Sequence, residues 1–457
     1  MQTDPSRTAD ASEPTSAGEF LAYCEEAFAV ARNAGKALVR LTIAAPKAPL
    51  LSHPQGSMLW SPPTGNQVVG SGQTRTIMGQ GAKRYEQIKA GADALWAELC
   101  DVPHPNSHGE RPRLFGGLSF APDKAKGAWS NFGEGLFWLP RVLYGHGKDG
   151  AWLSLSVASE GSAAEAAGEL ANAKQRLLLA DEAPVRQAQI EHAEHLAADE
   201  WAERIEAIRT AISKGIVHKV VAARSSRLHF RDGIALRPAL ERLTERYPDC
   251  YRYAFQLQDV TFVGASPETL VDKRGLHVST QALAGSIAAD LENADEALLG
   301  SVKDRHEQDM VVRAIASALE PLCKSLHFEE TPIPRTLRHV THLCTPIEGE
   351  LAESKHVLDL VEALHPTPAV GGSPAAKALQ WIADTEDSRG WYAGPVGWFN
   401  AEGDGHFAVA IRSALFTGND ALVYAGAGIV ADSDPALEYL ETGLKQRAIL
   451  DALGILG

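Results

Sequence analysis

Cysteine is scarce in this chain of 457 residues: there are five, and none forms a CxxC pair. The five thiols, which are scattered along the sequence, are Cys24, Cys100, Cys250, Cys323 and Cys344. An odd and dispersed set argues against both a disulfide framework and a thiolate zinc site. We therefore expect a reduced, cytoplasmic protein.

Long apolar runs and an excess of positive charge are missing too. No apolar stretch is long enough to span a bilayer, and the first twenty residues lack the apolar core of a signal peptide. The formal net charge of −15 opposes binding to phosphate backbones. We expect no membrane and no nucleic-acid partner, and we interpret the acidity as a solubility feature. An anionic substrate would then need local positive charge in its site.

The sequence does contain alternating strand and helix patterns, which predict an α+β fold with a large antiparallel β-sheet sandwich as the core and helices flanking it. Residues 1–16 are rich in Ser, Thr, Asp and Pro, a composition that predicts disorder. Residues 17–198 are expected to form the N-terminal part of the sandwich. Within them we predict a helix at 20–34, strands between Gly/Pro turns at 36–156, and a helical connection at 160–198.

Residues 199–457 carry denser signals and are expected to form the catalytic region. Apolar residues at helical spacing predict a helix that ends at Lys214-Gly215. Two further helices are predicted at 301–322 and 435–453, the latter with Ser433 or Asp434 as its cap. The segments predicted as strands are IVHKVVAAR, YRYAFQL, TFVGAS, LHVSTQAL, HFAVAIRSALF and ALVYAGAGIV.

Lys219 lies in a strand pattern in which Val217, Val221 and Ala223 share its face. An ammonium group on an apolar face is costly unless it is paired. Two interpretations stay open. Lys219 is either an edge-strand lysine that blocks aggregation, or a desolvated lysine that can act as a base.

Glu268 follows a predicted strand that ends at Gly264-Ala265 and a turn that starts at Ser266-Pro267. A carboxylate just past a strand end is well placed to face a cleft. The alternative is an ordinary glutamate in the first turn of a helix, where the helix dipole would stabilise it.

Glu307 and Glu441 each continue an apolar stripe on a predicted helix. The stripe with Glu307 contains Val311, Ile315 and Leu319, and the stripe with Glu441 contains Leu437, Leu444 and Ala448. Inward carboxylates from two helices suit a hard cation such as Mg²⁺, which prefers oxygen ligands. The alternatives are a salt bridge from Glu441 to Lys445 on a solvated face, and pairing of Glu307 with a buried arginine.

Three glycine-rich segments, at 282–286, 369–374 and 425–430, match neither the Walker nor the Rossmann spacing. We interpret them as loops whose backbone amides could approach an anionic ligand, although tight turns would explain them almost as well. Arg412, in the strand pattern VAIRSAL, could pair a carboxylate bidentately or join a structural ion pair.

Taken together, these segments resemble the chorismate-utilising enzymes, a family that includes isochorismate synthase, salicylate synthase, and the first components of anthranilate and aminodeoxychorismate synthase. The resemblance covers about residues 199–452 and follows the family's motif order. The segments that carry it are GIVHKVVAAR, FVGASPETLV, TQALAGS, LLGSVKDRHEQ, VTHL, LHPTPAVGGSP, SRGWYAGPVGW, VAIRSA, AGAGIVADSDP and EYLETGLK. Such a number of motifs leaves little room for chance.

The resemblance implies a role for individual residues. Lys219 matches the base that activates water for attack at C2 of chorismate, and Glu268 matches the acid that protonates the departing C4 hydroxyl. Glu307 and Glu441 match magnesium ligands, with Glu438 as a water-mediated or alternative ligand. The remaining substrate-binding and site-lining matches are Ser286, His342, Ala369, Tyr392, Arg412, Gly426 and Lys445.

The activity implied is that of an isochorismate synthase, which would use Mg²⁺ and feed menaquinone or siderophore synthesis. Family branches that use ammonia typically carry glutamine in place of Lys219. Salicylate synthase, the nearest alternative, typically has threonine where this chain has Ala369. A non-catalytic chorismate-binding protein is the other alternative, and it would be expected to lack acid, base or metal positions that are all present here.

Three positions depart from the family pattern: Ala222, Ser286 and Gln308 replace a leucine, a threonine and a histidine. None of these changes removes a charged catalytic group, so we expect activity to be retained. We expect the protein to act as a monomer.

Overall fold

The N-terminal helix begins where disorder was predicted to end. The computed structural model describes residues 16–49, 58–107, 109–122, 126–178 and 189–455. The prediction of disorder falls on residues 1–15, which lie outside the described residues, and on Ser16, which is a helix cap. The Ser16 hydroxyl accepts from the backbone N–H of Glu19 at 3.3 Å, and the Glu19 carboxylate accepts from the backbone N–H of Ser16 at 3.0 Å. This reciprocal capping box starts the first helix.

The α-helices of the described residues include the three predicted in the second half of the chain. They are α1 (Ala17–Asn33), α2 (Arg84–Glu98), α3 (Ala163–Leu178), α4 (Ala198–Ser213), α5 (Leu236–Arg246), α6 (Ala294–Gly300), α7 (Val302–Leu319), α8 (Val357–Leu364), α9 (Ala375–Thr385) and α10 (Pro435–Ala452). Asp434, one of the two predicted caps, accepts from the first turn of α10. No helix within these described stretches is both long and apolar enough to cross a membrane.

Helix α2 corrects the interpretation of residues 36–156 as strands alone. Its buried residues Tyr85, Ile88, Ala92 and Leu95 recur at helical spacing and fill the space under the sheet. The predicted helical connection at 160–198 is also only partly helical, since a strand occupies Ile190–His195.

Strands dominate the rest of the described chain. They are β1 (Leu38–Ala45), β2 (Met58–Ser61), β3 (Gln67–Met78), β4 (Leu99–Pro103), β5 (Arg113–Leu118), β6 (Gly135–Gly147), β7 (Gly150–Ala158), β8 (Ile190–His195), β9 (Lys219–Phe230), β10 (Tyr251–Leu257), β11 (Val260–Ser266), β12 (Thr269–Arg274), β13 (His277–Ala288), β14 (Cys323–Phe328), β15 (Ile333–Thr336), β16 (Val340–Leu351), β17 (Gly372–Ser373), β18 (Pro395–Asn400), β19 (Gly405–Val409), β20 (Ser413–Thr417) and β21 (Asp420–Ile429).

The strands form one hydrogen-bonded network that divides at β6. A first branch runs through β3, β2, β10, β11, β20, β21 and β9, and a second through β5, β18, β19, β12, β13 and β16. Among the described strands, every pairing is antiparallel except that of β1 with β4. The predicted antiparallel α+β architecture is therefore confirmed, and both halves of the chain contribute strands to it.

The two branches pack against each other through aromatic side chains. The Tyr251 hydroxyl on β10 lies 2.8 Å from Nε2 of His406 on β19, and the Phe137 ring on β6 packs edge-on against Phe407. Helices cover the outer faces: α1, α3, α5 and α10 contribute to one buried cluster, while α2, α7 and α8 contribute to the other. The connections that cross between the branches bring residues from both to one place.

Candidate active site

A cavity lined mostly by buried residues lies where the two branches meet. Its walls come from β9 and β21 on one side, from β13 and β16 on the other, and from α7 and α10 at the rim. The lining residues that the sequence had singled out are Glu268, Ser286, Glu307, His342, Ala369, Tyr392, Arg412, Gly426, Glu441 and Lys445. The structure thus brings together ten predicted residues from distant segments, whose individual roles remain predictions.

Lys219 begins β9 and is fully buried. It is not an edge-strand lysine, because β9 pairs with β21 along one side and with β17 and β8 along the other. Its Nζ lies 2.7 Å from Oε1 of Glu307 on α7. A buried ammonium requires such a partner, so the alternative of a buried arginine beside Glu307 is wrong and the partner is Lys219.

Gly428 on β21 is a site residue that the sequence analysis did not assign. A Cβ at this position would lie 2.6 Å from Oε1 of Glu307 and 2.7 Å from Cε of Lys219. Only glycine leaves room for the ion pair to lie against the strand. The segment 425–430, interpreted as a loop from its glycines, is largely strand, so its glycines serve close approach and not turning.

Glu268 lies in the connection between β11 and β12, at the point where the chain passes from one branch to the other. No helix follows it, so the helix-dipole alternative is wrong. Burial raises the pKa of Glu268 to about 7, although Arg412, Lys219 and Lys445 act in the opposite direction. A carboxyl group in this range is protonated for part of the time near neutral pH, as a general acid must be.

Three carboxylates of α7 and α10 each face a lysine. Besides the pair of Glu307 with Lys219, Glu441 lies 2.5 Å from Lys445 and Glu438 lies 3.1 Å from Lys303. Burial works to raise the pKa of Glu307, but Lys219 outweighs it and the net shift is downward. The prediction of a salt bridge between Glu441 and Lys445 is thus confirmed, but it lies at the cavity and not on a solvated face.

Negative charge is crowded around these helices. Burial and the neighbouring Glu441 raise the pKa of Glu438 against the opposing effect of Lys303. Burial also raises the pKa of Asp304, with smaller contributions in the same direction from Glu307 and Glu441. Within the described stretches, no three His, Cys, Asp or Glu side chains converge as a ready-made metal site.

The stripe predicted for α10 is displaced by one residue. Leu437 is 66% exposed, whereas Glu438, Thr442 and Gln446 are buried. The polar residues enter the interior because each has a partner: the Thr442 hydroxyl accepts from Nε of Arg224 at 2.7 Å, and Gln446 donates to the carbonyl of Val423. The spacing of apolar residues therefore predicted the wrong buried face for this helix. Glu441 lies at the border of the face that is actually buried.

A cationic subsite lies opposite the carboxylates. Arg412 follows β19 with a φ of 51°, in the left-handed region that costs energy for a residue with a Cβ. Its guanidinium donates to Nε2 of His342 at 2.8 Å, while Nδ1 of His342 donates to the carbonyl of Gly285 at 2.8 Å. Burial and Arg412 lower the pKa of His342 far below its usual range. A neutral histidine thus orients the arginine without repelling it.

Two further groups complete this subsite. Tyr392 stacks on Tyr424 with ring centroids 4.9 Å apart, and Nζ of Lys445 donates to the carbonyl of Gly426 at 2.9 Å. The cavity therefore holds hydroxyl and cationic donors next to the carboxylates, with Lys445 shared between the two through its pair with Glu441. Such donors suit a small, rigid anion with carboxylate groups.

Three sequence predictions do not lie on the cavity wall itself. Lys219 stands behind it and contacts the lining residue Glu307, while Glu438 pairs with Lys303, which does not line the cavity either. Gln308, the departure from the family's histidine, donates to the carbonyl of Ala282 and to the Thr345 hydroxyl, so it serves the packing of α7 on the sheet.

Comparison with known proteins identifies relatives of this chain. The family model described as "chorismate binding enzyme" matches residues 44–454. The chain is 40% identical to the isochorismate synthase MenF of Bacillus subtilis over 352 residues, which cover 75% of each chain. It is 36% identical to the salicylate biosynthesis isochorismate synthase of Pseudomonas aeruginosa, over 83% of this chain and 81% of the relative.

Solved structures agree with the sequence matches. The menaquinone-specific isochorismate synthase of Escherichia coli superimposes with a TM-score of 0.77 at 26% identity, over 94% of this chain and all of the other. Anthranilate synthase component I of Streptococcus pneumoniae superimposes with a TM-score of 0.68 at 21% identity, over 85% of this chain and 93% of the other, a likeness of fold.

Proposed function

The chain belongs to the family of chorismate-binding enzymes, and we propose that it is an isochorismate synthase, which adds water at C2 of chorismate and expels the C4 hydroxyl. One observation carries the proposal: a glutamate of raised pKa, Glu268, lines the cavity, and a buried lysine, Lys219, stands directly behind its wall against the lining residue Glu307. The reaction needs one group that accepts a proton and another that donates one. The relatives named as isochorismate synthases support the same reaction.

The substrate is a dianion, and we assign its carboxylates to the cationic subsite. Arg412 offers a planar fork whose orientation is fixed by His342, and Lys445 and Tyr392 flank it. Because the cavity is buried, these charges act through a low dielectric and are stronger than they would be in water. The ring is thereby held with its reacting carbons toward Lys219 and Glu268.

Proton transfer then balances across the ring. Lys219, in its neutral form, takes a proton from water as the water oxygen bonds to C2. Glu268 gives a proton to the C4 hydroxyl as the C4–O bond breaks, and water leaves. One water enters and one leaves, so the net reaction is an isomerisation, after which the two side chains must exchange protons with solvent to begin again.

Glu307 sets a condition on this step. Its Oε1 lies 2.7 Å from Nζ of Lys219, and an ammonium group held in an ion pair cannot accept a proton. Turnover therefore requires Glu307 to be engaged elsewhere. This is the role that a cation held by the carboxylates would permit.

We assign a magnesium site to Glu307 and Glu441, with Glu438 as an additional or water-mediated ligand. Carboxylate oxygens are the ligands that Mg²⁺ prefers. Burial is the main cause of the raised pKa values of Glu438 and Asp304, and the neighbouring carboxylates add to it, so a cation there would relieve part of the repulsion. The bound ion would supply positive charge beside the substrate carboxylate as the double bonds shift.

The test is incubation of the purified protein with chorismate and Mg²⁺, followed by separation and identification of the products. We expect isochorismate with little pyruvate. Salicylate and pyruvate as the main products would identify a salicylate synthase, and no conversion at all would favour a non-catalytic chorismate-binding protein.

Cellular context and assembly complete the proposal. We assign the enzyme to the cytoplasm and to the monomeric state. We assign its product to menaquinone synthesis, as the name of the similar Escherichia coli enzyme suggests. Light scattering during size-exclusion chromatography should give the mass of one chain, and a doubled mass would contradict the monomer.

A further inference from the structure

A buried ion pair, Glu386 with Arg389, lies beside the cavity and has no role in the chemistry described above. Both side chains are almost fully buried, and Nη2 of Arg389 lies 2.8 Å from Oε2 of Glu386. The pair follows α9, in the segment that leads to β18. Arg389 also lines the cavity wall, so its position bears directly on the site.

The pair borders an interrupted edge of β9. Strand β17 bonds to this edge only at Lys219 and Val220, and the last backbone bond runs from the Val221 N–H to the carbonyl of Gly371 at 2.9 Å. Strand β8 takes up the edge again at Ser226. Between them, none of the described strands pairs with the edge of β9.

Side chains supply the bonds that a strand would have made there. The carbonyl of Val221 accepts from Nη2 of Arg389 at 2.7 Å, and the N–H of Ala223 donates to Oε1 of Glu386 at 2.9 Å. The carbonyl of Ala223 accepts from Arg204 at 2.9 Å. Buried backbone groups need such partners, so the ion pair completes the edge of the strand that begins with Lys219.

Arg389 also ties this strand to the neighbouring segment of the cavity wall. Its Nη1 donates to the carbonyl of Val370 at 3.0 Å, next to Ala369, while its Nε donates to Glu386 at 2.9 Å. The guanidinium lies over the ring of Phe120, with 4.4 Å between its carbon and the ring centroid. With its nitrogens bonded to the protein, the guanidinium is not arranged to grip a substrate carboxylate.

We infer that Glu386 and Arg389 are positioning residues, which complete the open edge of β9 and hold the Lys219 strand against the adjoining Ala369–Val370 segment of the cavity wall. Both segments line the site, so the pair sets the distance between the reacting groups and the bound ring. Misplacement of reacting groups by about 1 Å can cost about 10²-fold in rate. The inference rests on the proposed function, because it concerns the rate of that reaction.

The discriminating variant is Arg389→Lys. A lysine keeps the charge beside Glu386 but cannot bond to both carbonyls and the carboxylate in one plane. If the pair positions the strand, kcat should fall by about 10-fold to 10²-fold while KM for chorismate changes little. A 10-fold rise in KM with normal kcat would instead make Arg389 a substrate ligand, and normal values of both would remove any positioning role.

Two companion variants separate positioning from general loss of stability. Glu386→Gln keeps an acceptor for the N–H of Ala223, so its kcat should fall less than the kcat of Glu386→Ala. Equal kcat values for these two variants would contradict the inference. This comparison holds even if Arg389→Lys does not fold. Arg113→Lys is the matched control, because Arg113 is another largely buried arginine paired with a glutamate three residues away, Glu110, and lies outside the cavity wall. It should lower the melting temperature without lowering kcat.

The wild-type enzyme, assayed in parallel, keeps the two proposals apart. If the wild type forms no isochorismate, the proposed function fails. If the wild type forms isochorismate and the Arg389 and Glu386 variants have the same kcat and KM as the wild type, only the positioning inference fails.

Discussion

At the scale of single residues, the proposed reaction depends most on Lys219. It is fully buried against Glu307, directly behind the cavity wall. We predict that Lys219→Ala lowers the rate of isochorismate formation by about 10²–10⁴-fold, the usual contribution of a general base. The measurement is steady-state turnover by chromatography of the product.

Removal of Lys219 also leaves Glu307 without its cation, so a lower melting temperature is expected, and the variant should be assayed well below it. Lys324→Ala provides a control, because Lys324 pairs with Glu350 at the surface and should retain full turnover. Near-normal turnover in a folded Lys219→Ala variant would show that Lys219 is not the base.

Glu268 makes a prediction about pH. Its pKa of about 7 means that the protonated form is lost above neutrality, so kcat/KM should fall as pH rises beyond about 7. Glu268→Gln should be nearly inactive across the whole range. A kcat/KM that stays constant between pH 6 and pH 9 would contradict the assignment of Glu268 as the acid.

The same group links stability to pH with a definite sign. Folding raises the pKa of Glu268 from 4.5 to about 7, so the native state keeps a proton that the unfolded chain has lost. Its contribution to stability is therefore greatest below pH 4.5 and declines until about pH 7, by roughly 3 kcal/mol at most. At pH 8, Glu268→Gln should melt higher than the wild type, whereas the exposed control Glu296→Gln should not.

Spacing in the sequence identified many of these residues, but not those that act through the backbone. Lys219 and Glu307 were visible because a charge interrupts an apolar pattern. Gly428 and Arg389 were not, since the first matters by the absence of a side chain and the second by bonds to carbonyls far away in sequence. Such contacts leave no periodic signal.

At the scale of elements, α7 and α10 form the rim that carries the carboxylates. We predict that Glu307→Gln and Glu441→Gln each weaken Mg²⁺ binding by at least about 10-fold, since each removes a charged oxygen ligand. Isothermal titration of Mg²⁺ into the enzyme measures this directly. Asp309→Asn, on α7 but paired with Arg313 at the surface, should bind Mg²⁺ as the wild type does.

Removal of the metal gives a second test of the magnesium proposal. Enzyme freed of metal by chelation, with the absence of metal confirmed by elemental analysis, should not turn over chorismate until Mg²⁺ is restored. Full activity of the metal-free enzyme would show that the reaction needs no metal. The assignments of Lys219 as base and Glu268 as acid would still depend on their own tests.

Element prediction succeeded where one face of a helix is apolar and failed where polar groups are buried. The stripe of Val311, Ile315 and Leu319 on α7 is buried as expected. On α10 the buried face instead carries Thr442 and Gln446, because strands of the sheet and Arg224 offer them hydrogen bonds. The sequence pattern cannot reveal partners that only the tertiary fold provides.

At the scale of the whole molecule, an acidic chain surrounds a cavity that holds charges of both signs. The net charge is −15, yet the cations Arg389, Arg412 and Lys445 line one cavity together with the carboxylates of Glu268, Glu307 and Glu441. The order of strands explains how: segments from both halves of the chain pair in one network, and their connections converge. Motif order in the sequence indicated this family fold, but the division of the network at β6 depends on pairings between distant strands.

The most direct test of the central claim follows the oxygen atom. If Lys219 activates water for attack at C2, isochorismate formed in ¹⁸O-labelled water should carry one solvent oxygen at C2, and mass spectrometry of the product should show a mass increase of about two daltons. Chorismate that has not been turned over should remain unlabelled. Isochorismate that carries no solvent oxygen would mean that the hydroxyl migrates within the molecule, and would contradict water addition by this site.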